Sequence, residues 1–124
     1  MPLEIIDDLL SIAKKAAVKA SDFLIKSGNN IIVNKSESKD IKLQSDFDSE
    51  NIVIKILRDN SDFDILSEEC GYLKGKNSSK LKWIVDPLDG SLNFSRSLPL
   101  CCISIALWEE NNPIIGVIFD FNSN

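Results

Sequence analysis

The sequence predicts an α/β domain with a mixed sheet, and three patterns predict it. A long helical periodicity opens the chain, short apolar runs bounded by polar turns follow, and the last two runs are close enough to form an antiparallel hairpin. Ile5, Ile6, Leu9, Ile12, Ala13, Ala16, Ala17, Ala20, Phe23 and Leu24 recur at steps of three and four, so Leu3 to about Ser27 reads as one amphipathic helix. Gly28 and the Asn29-Asn30 pair stop it. Ile31 to Val33 could be a short strand, followed by a polar connection, "NKSESKD", from Asn34 to Asp40. A second helix is predicted to begin near Ser45, because Ser45 and Asp48 are spaced like a capping box ahead of "NIVIKILRD". Asp64 to Ser67, Lys82 to Val85, Cys101 to Trp108 and Ile114 to Phe121 read as strands, the last two joined around "EENNP". "CGYLKGKNSSK", between the first two strands, reads as a mobile polar loop.

Composition bounds the function. With 124 residues, 44% hydrophobic and 27% charged, the chain is expected to be one soluble globular domain or part of a larger one. A formal net charge of −5 with no Lys/Arg run argues against nucleic acid or an anionic membrane as the main partner. There is no histidine, which excludes Ser/His/Asp, Cys/His and His-ligated zinc chemistry. The three cysteines, Cys70, Cys101 and Cys102, show no C-x-x-C spacing. They read as reduced core thiols of a cytoplasmic protein, a reactive or metal-binding Cys70 being the alternative. The N-terminus lacks the layout of a signal peptide, and no uncharged apolar run reaches the roughly 18 residues of a membrane span.

The chemistry concentrates in "WIVDPLDGSLNF", Trp83 to Phe94. Pro87 falls at the second position of a β-turn with Asp86 first and Asp89 fourth, which would bring the two Cα atoms within about 7 Å. Paired carboxylates repel unless a proton or a cation sits between them. Oxygen ligands without a His or Cys pattern suit a hard cation such as Mg²⁺. Gly90 permits close approach to the backbone, and a helical turn opening at Ser91 would point N–H groups at an anion. Glu68, in "LSEECG", would stand with Asp86 at the carboxyl ends of strands, where open α/β sheets place ligand crevices. Asp46, in "DIKLQSD", falls in the first turn of the second helix. Each also has an ordinary reading: a surface turn for D-P-x-D-G, a solvated Glu-Glu pair for Glu68, and a dipole-favoured carboxylate for Asp46.

Taken together, these residues resemble the inositol monophosphatase family. "WIVDPLDGSLNF" is similar to its first signature, roughly D-P-L/I-D-G-S/T-x-N-F, and the likeness extends to "SEE", "DIKLQSD" and "PLCCISIALWEENNPIIGVIFD". The resemblance implies the N-terminal, metal-binding portion of a layered α/β/α/β/α sugar-phosphatase-like fold over residues 1–124. It implies a Mg²⁺-dependent phosphomonoesterase acting on a small phosphorylated polyol or sugar. Glu68, Asp86 and the Leu88 carbonyl would hold one Mg²⁺, and Asp86 with Asp89 a second. The Gly90 and Ser91 amides would hold the phosphate. Glu68, the Ser91 hydroxyl and Asp46 would serve catalysis, in which a metal-activated water attacks phosphorus in line without a covalent enzyme intermediate. Glu69 is expected to be a supporting or surface residue.

Two small departures are Ser91, where Thr is commoner, and Leu43, where Thr is usual. The larger one is length: family domains run to about twice this size, and the later W-D signature, with a further carboxylate for the second metal, is absent. The C-terminal half of the family domain is therefore expected to be missing from this chain, which would be inactive alone unless a homodimer completed it. A 3′(2′),5′-bisphosphate nucleotidase or fructose-bisphosphatase of the same superfamily is the alternative activity, although "DGSLNF" has Leu92-Asn93 where the nucleotidases more often carry Lys-Glu. A non-catalytic remnant or binding module is the alternative of another class. An unpaired last strand would also promote self-association along Ile114 to Phe121.

Overall fold

A computed structural model describes residues 2–27, 33–36, 41–76, 79–89 and 101–120. Its elements are α1 (Leu3–Ser27), β1 (Val33–Ser36), β2 (Ile41–Leu43), α2 (Gln44–Asn60), β3 (Asp64–Ser67), β4 (Gly71–Leu73), β5 (Leu81–Asp89), β6 (Cys102–Glu109) and β7 (Asn112–Phe119). The expected α/β class and the long first helix are present. Three local expectations change. Residues 34–36 of the supposed polar connection belong to β1, which pairs antiparallel with β2. The supposed mobile loop contains β4, antiparallel to β3. Ser45 is not a cap: α2 starts at Gln44, Ser45 is buried in its first turn, and Gln44 Nε2 donates to Asp48 Oδ1 at 3.1 Å.

The main sheet is mixed, in the order β4-β3-β5-β6-β7, with β3 and β5 parallel and every other pair antiparallel. Side chains alternate along each strand, so the sheet has one face rich in Ile65, Trp83, Val85, Ile103, Ile105 and Leu107, all buried. Both helices pack there. Ala13, Ala16, Ala17 and Ala20 are fully buried on α1, and their small side chains let its backbone lie close to α2 and to β6–β7. From α2, Val53 and Leu57 complete the core. Trp83 is its largest member; its ring tilts against Phe63 at 6.3 Å between centroids, and its Nε1–H donates to Ser61 Oγ at 2.9 Å.

The opposite face carries Leu66, Ile84, Ala106 and Ile118 and has no helix over it among the described residues; Ile118 is 76% exposed. β7 forms one edge, with Pro113 near its start, a position where a missing N–H costs no ladder bond. The β6–β7 connection turns through Glu110 in the left-handed region (φ 53°).

The β3–β4 arm is anchored rather than loose. Gly71 opens β4 at φ +78°, which a side chain would strain. Asp64 accepts from the Gly75 N–H at 2.7 Å and from the Tyr72 hydroxyl, and these bonds hold its carboxyl below the usual range. No helix among the described residues is long and apolar enough to cross a membrane.

The core sets a prediction. Trp83→Ala should cost about 3–5 kcal/mol in urea unfolding, because the lost ring leaves a cavity at the centre of the sheet. Ile118→Ala on the open face should stay within about 0.5 kcal/mol. Comparable losses at the two positions would contradict this placement of the core.

Candidate functional site

The segment Asp86-Pro87-Leu88-Asp89 does not form the expected β-turn; it continues β5 as a bulge. Asp86 pairs with Ser104 and Asp89 with Cys102, so Pro87 and Leu88 together oppose Ile103. Pro87 has no N–H for a ladder, and a bulge is where a strand tolerates that. In a regular strand, residues three apart point to opposite faces. The extra residue resets the alternation, so Asp86 and Asp89 lie on the same face as Ser104 and Cys102, the face away from the helices. Pro87 and Leu88 are buried instead.

Beside Asp86 on that face stands Glu68. Strands β3 and β5 run parallel with Ser67 opposite Val85, and the Glu68 N–H donates to the Val85 carbonyl at 3.2 Å, extending the register by one residue. Glu68 is therefore just past the carboxyl end of β3, next to Asp86. The two side chains hydrogen-bond. An open groove runs from here along the sheet, lined by Leu66, Glu68, Gly71, Ile84, Asp86 and Ser104.

Electrostatics mark this corner. The Asp86 carboxyl is pushed up to about 7, first by burial, then by the hydrogen bond to Glu68 and by the negative charges of Glu68 and Asp89. The Leu88 N–H, donating to Asp86 Oδ1 at 3.3 Å, opposes that rise. Cys102 Sγ lies 3.9 Å from Asp89 Oδ2, and its thiol is also raised, by burial and then by Asp89 and Asp86. Among the described residues, no three His, Cys, Asp or Glu side chains are grouped so that they could hold a metal ion as they stand. Asp86 instead keeps a proton, with Glu68 beside it as a hydrogen-bond partner. Three carboxylates crowded on one face are nonetheless a donor set suited to a hard cation, which would replace that proton.

The remaining expected residues fall as follows. Asp46 is almost fully buried in the first turn of α2, one turn before Ser49, whose hydroxyl donates to the Pro87 carbonyl at 2.7 Å. Leu88 is buried and Asp89 is exposed at the end of β5. Gly90 and Ser91 lie outside the described residues. Glu69 is half-buried, and its N–H is bound within the protein. All three cysteines are free, but only Cys101 is buried; Cys70 is exposed at the β3–β4 turn, so it is not a core thiol. Its thiol is raised by desolvation and then by Glu50, which disfavours the thiolate a reactive cysteine needs.

Two residues escaped the sequence reading, Ser49 and Glu50. Both are buried on α2 and bonded to the segments that carry Asp86 and Glu68. A signal was present: Asp46, Glu50, Val53 and Leu57 share one helix face, and a carboxylate on an apolar stripe needs a buried partner.

Comparison with known proteins gives the same picture. The model of the inositol monophosphatase family matches residues 5–124. The chain is 36% identical to the Nus factor SuhB of Haemophilus influenzae over 116 residues, 90% of this chain and 43% of that protein. It is 32% identical to the inositol-1-monophosphatase of Synechocystis over 114 residues, 90% of this chain and 39% of that protein. The crystal structure of the extragenic suppressor protein suhB from Bartonella henselae superposes with a TM-score of 0.85 at 30% identity, covering 93% of this chain and 46% of that one. The chain thus spans less than half the length of these relatives. A family match over residues 5–124, nearly the whole chain and including Glu68, Asp86 and Asp89, shows that the chain belongs to the inositol monophosphatase family.

Proposed function

We propose that this chain forms the cation-binding half of a Mg²⁺-dependent phosphomonoesterase that hydrolyses a phosphate ester of a small polyol or sugar. Relatives in the family are metal-dependent phosphatases. The observation that carries the reading to this chain is the Glu68/Asp86/Asp89 cluster, where burial and mutual repulsion hold a proton on Asp86 up to about pH 7. In this reading Glu68, Asp86 and the Leu88 carbonyl hold one cation, and Asp86 and Asp89 hold a second. Bound there, divalent cations would make a nucleophile of water near neutral pH and offset charge on the attacking and leaving oxygens. Glu68 and the Ser91 hydroxyl would stand near the attacking water, while the Gly90 and Ser91 amides would orient the phosphate. Asp46, close to the β5 bulge through Ser49, orients the Ser91 hydroxyl. The substrate is a small phosphorylated metabolite. The designation Nus factor belongs to the relatives; a charge of −5 with no basic run favours a metabolite over nucleic acid here. Three free thiols favour a cytoplasmic setting.

Phosphate release from inositol monophosphates, fructose 1,6-bisphosphate and adenosine 3′,5′-bisphosphate by the full-length gene product tests the assignment. Inositol phosphate should be the preferred member. Asp86→Asn should lower Mg²⁺-dependent release by more than about tenfold, since it removes a charge shared by both cations. Ser91→Ala should cost less, because the amide cradle survives. Retained activity in Asp86→Asn would refute the site.

The raised Asp86 carboxyl adds a pH dependence. Below about pH 7 a cation must displace its proton, so binding releases that proton and weakens as pH falls. Calorimetric Mg²⁺ titration should give an affinity about tenfold weaker at pH 6 than at pH 8. An affinity flat across that range would mean that Asp86 does not bind the cation.

A further inference from the structure

Glu50 is a buried acid that the proposed chemistry does not use. It sits in the second turn of α2, 3% exposed, on the helix face turned toward the sheet. One oxygen, Oε2, accepts from the Ser67 hydroxyl at 2.7 Å, from the Glu69 N–H at 3.1 Å and from the Cys70 N–H at 2.9 Å. These donors bracket Glu68 on both sides. Ser67 points to the helix face and Glu68 to the open face, so Glu50 grips the β3–β4 turn from behind while Glu68 projects from the front. The neighbouring Ser49 holds the Pro87 carbonyl from the same helix. Two adjacent residues of α2 therefore tie down the two backbones whose side chains meet at the candidate cation site.

We propose that Glu50 is a positioning residue: by collecting the Ser67 hydroxyl and the Glu69 and Cys70 amides on one oxygen, it fixes the turn that carries Glu68 and so holds Glu68 beside Asp86 at the candidate cation site. The inference rests on the reading of that corner as a cation site. A burial without this purpose is poorly accounted for, because a carboxylate out of water costs free energy and an apolar residue of similar volume would pack as well. What Oε2 supplies is a fixed acceptor for two consecutive amides in a turn that has no ladder to bind them. Residues that orient ligands in this way typically change metal affinity by 10–100-fold when altered.

Glu50→Asp and Glu50→Gln separate reach from charge. Asp keeps the charge but withdraws the carboxylate by one methylene; Gln loses the charge but can keep an oxygen where Oε2 stands. Mn²⁺ binding by electron paramagnetic resonance should weaken about tenfold or more in Glu50→Asp and stay within about threefold in Glu50→Gln. Amide hydrogen exchange at Glu69 and Cys70 should accelerate in Glu50→Asp alone, with the β5 and β6 amides unchanged. Glu50→Asp that binds Mn²⁺ like the parent and keeps both amides protected would overturn the proposal. So would Glu50→Gln as impaired as Glu50→Asp, since charge and not reach would then be what matters. If Glu50→Asp does not fold, Ser67→Ala, which removes one donor, should weaken Mn²⁺ binding about threefold; unchanged affinity there overturns it as well. If the parent protein binds no Mn²⁺, the cation reading of the corner fails, and the exchange of Glu69 and Cys70 still decides whether Glu50 fixes the turn.

Discussion

The extra residue that β5 carries opposite Ile103 is the constraint on which the rest of this structure depends. Without it, Asp86 and Asp89 would alternate to opposite faces of the sheet, and one carboxylate would be driven into the apolar layer under the helices. With it, both face the groove, and Pro87 and Leu88 turn inward in their place. The same insertion presents the Pro87 carbonyl to the Ser49 hydroxyl, which links the bulge to α2. A local irregularity in the ladder thereby becomes a contact between layers.

Placing three carboxylates on one face works against stability, and the structure shows where the conflict is absorbed. Asp86, raised first by burial and then by its hydrogen bond with Glu68, keeps its proton to about pH 7. Around them the framework is stiff: a parallel β3–β5 pair beneath, Trp83 and Val85 packed on the reverse side, and the β3–β4 turn held by Glu50. Like charges gathered on a rigid support cannot relax by moving apart, so their repulsion persists and adds to burial in raising Asp86. The Cys102 thiol is raised first by burial and then by Asp89 and Asp86, so it feels the same charges.

The two faces of the sheet have different roles. One is the core, closed by α1 and α2 through alanines on the first helix and Val53 and Leu57 on the second. The other carries the carboxylates at one end and Leu66, Ile84 and Ala106 along its middle. Among the described residues, Ser49 and Glu50 link the helix layer to the segments that carry the carboxylates: they touch a carbonyl, a hydroxyl and two amides, and the carboxylates on the far side follow from where those segments lie.

Period and composition made much of this legible in the sequence. The apolar steps of three and four along α1 specify its length and inner face because helix geometry is local, and the β6–β7 hairpin follows equally from two apolar runs and a short turn. The Asp86, Asp89 and Glu68 cluster was visible as residue types near strand ends. Whether D-P-L-D turns or bulges was not, because Pro87 suits both; the decision belongs to β6, whose ladder holds the segment extended on its other side. β4 was hidden for a similar reason: "GYL" is too short to declare itself and becomes a strand only by pairing with β3. Glu50 reads as one more helix acid until the fold buries it against the β3–β4 turn. The sequence by itself determined the helices, the hairpin and the placing of carboxylates near strand ends, since these depend on neighbours along the chain. Tertiary structure decided which carboxylates share a face and what holds them there, since those depend on partners 17 to 38 residues away.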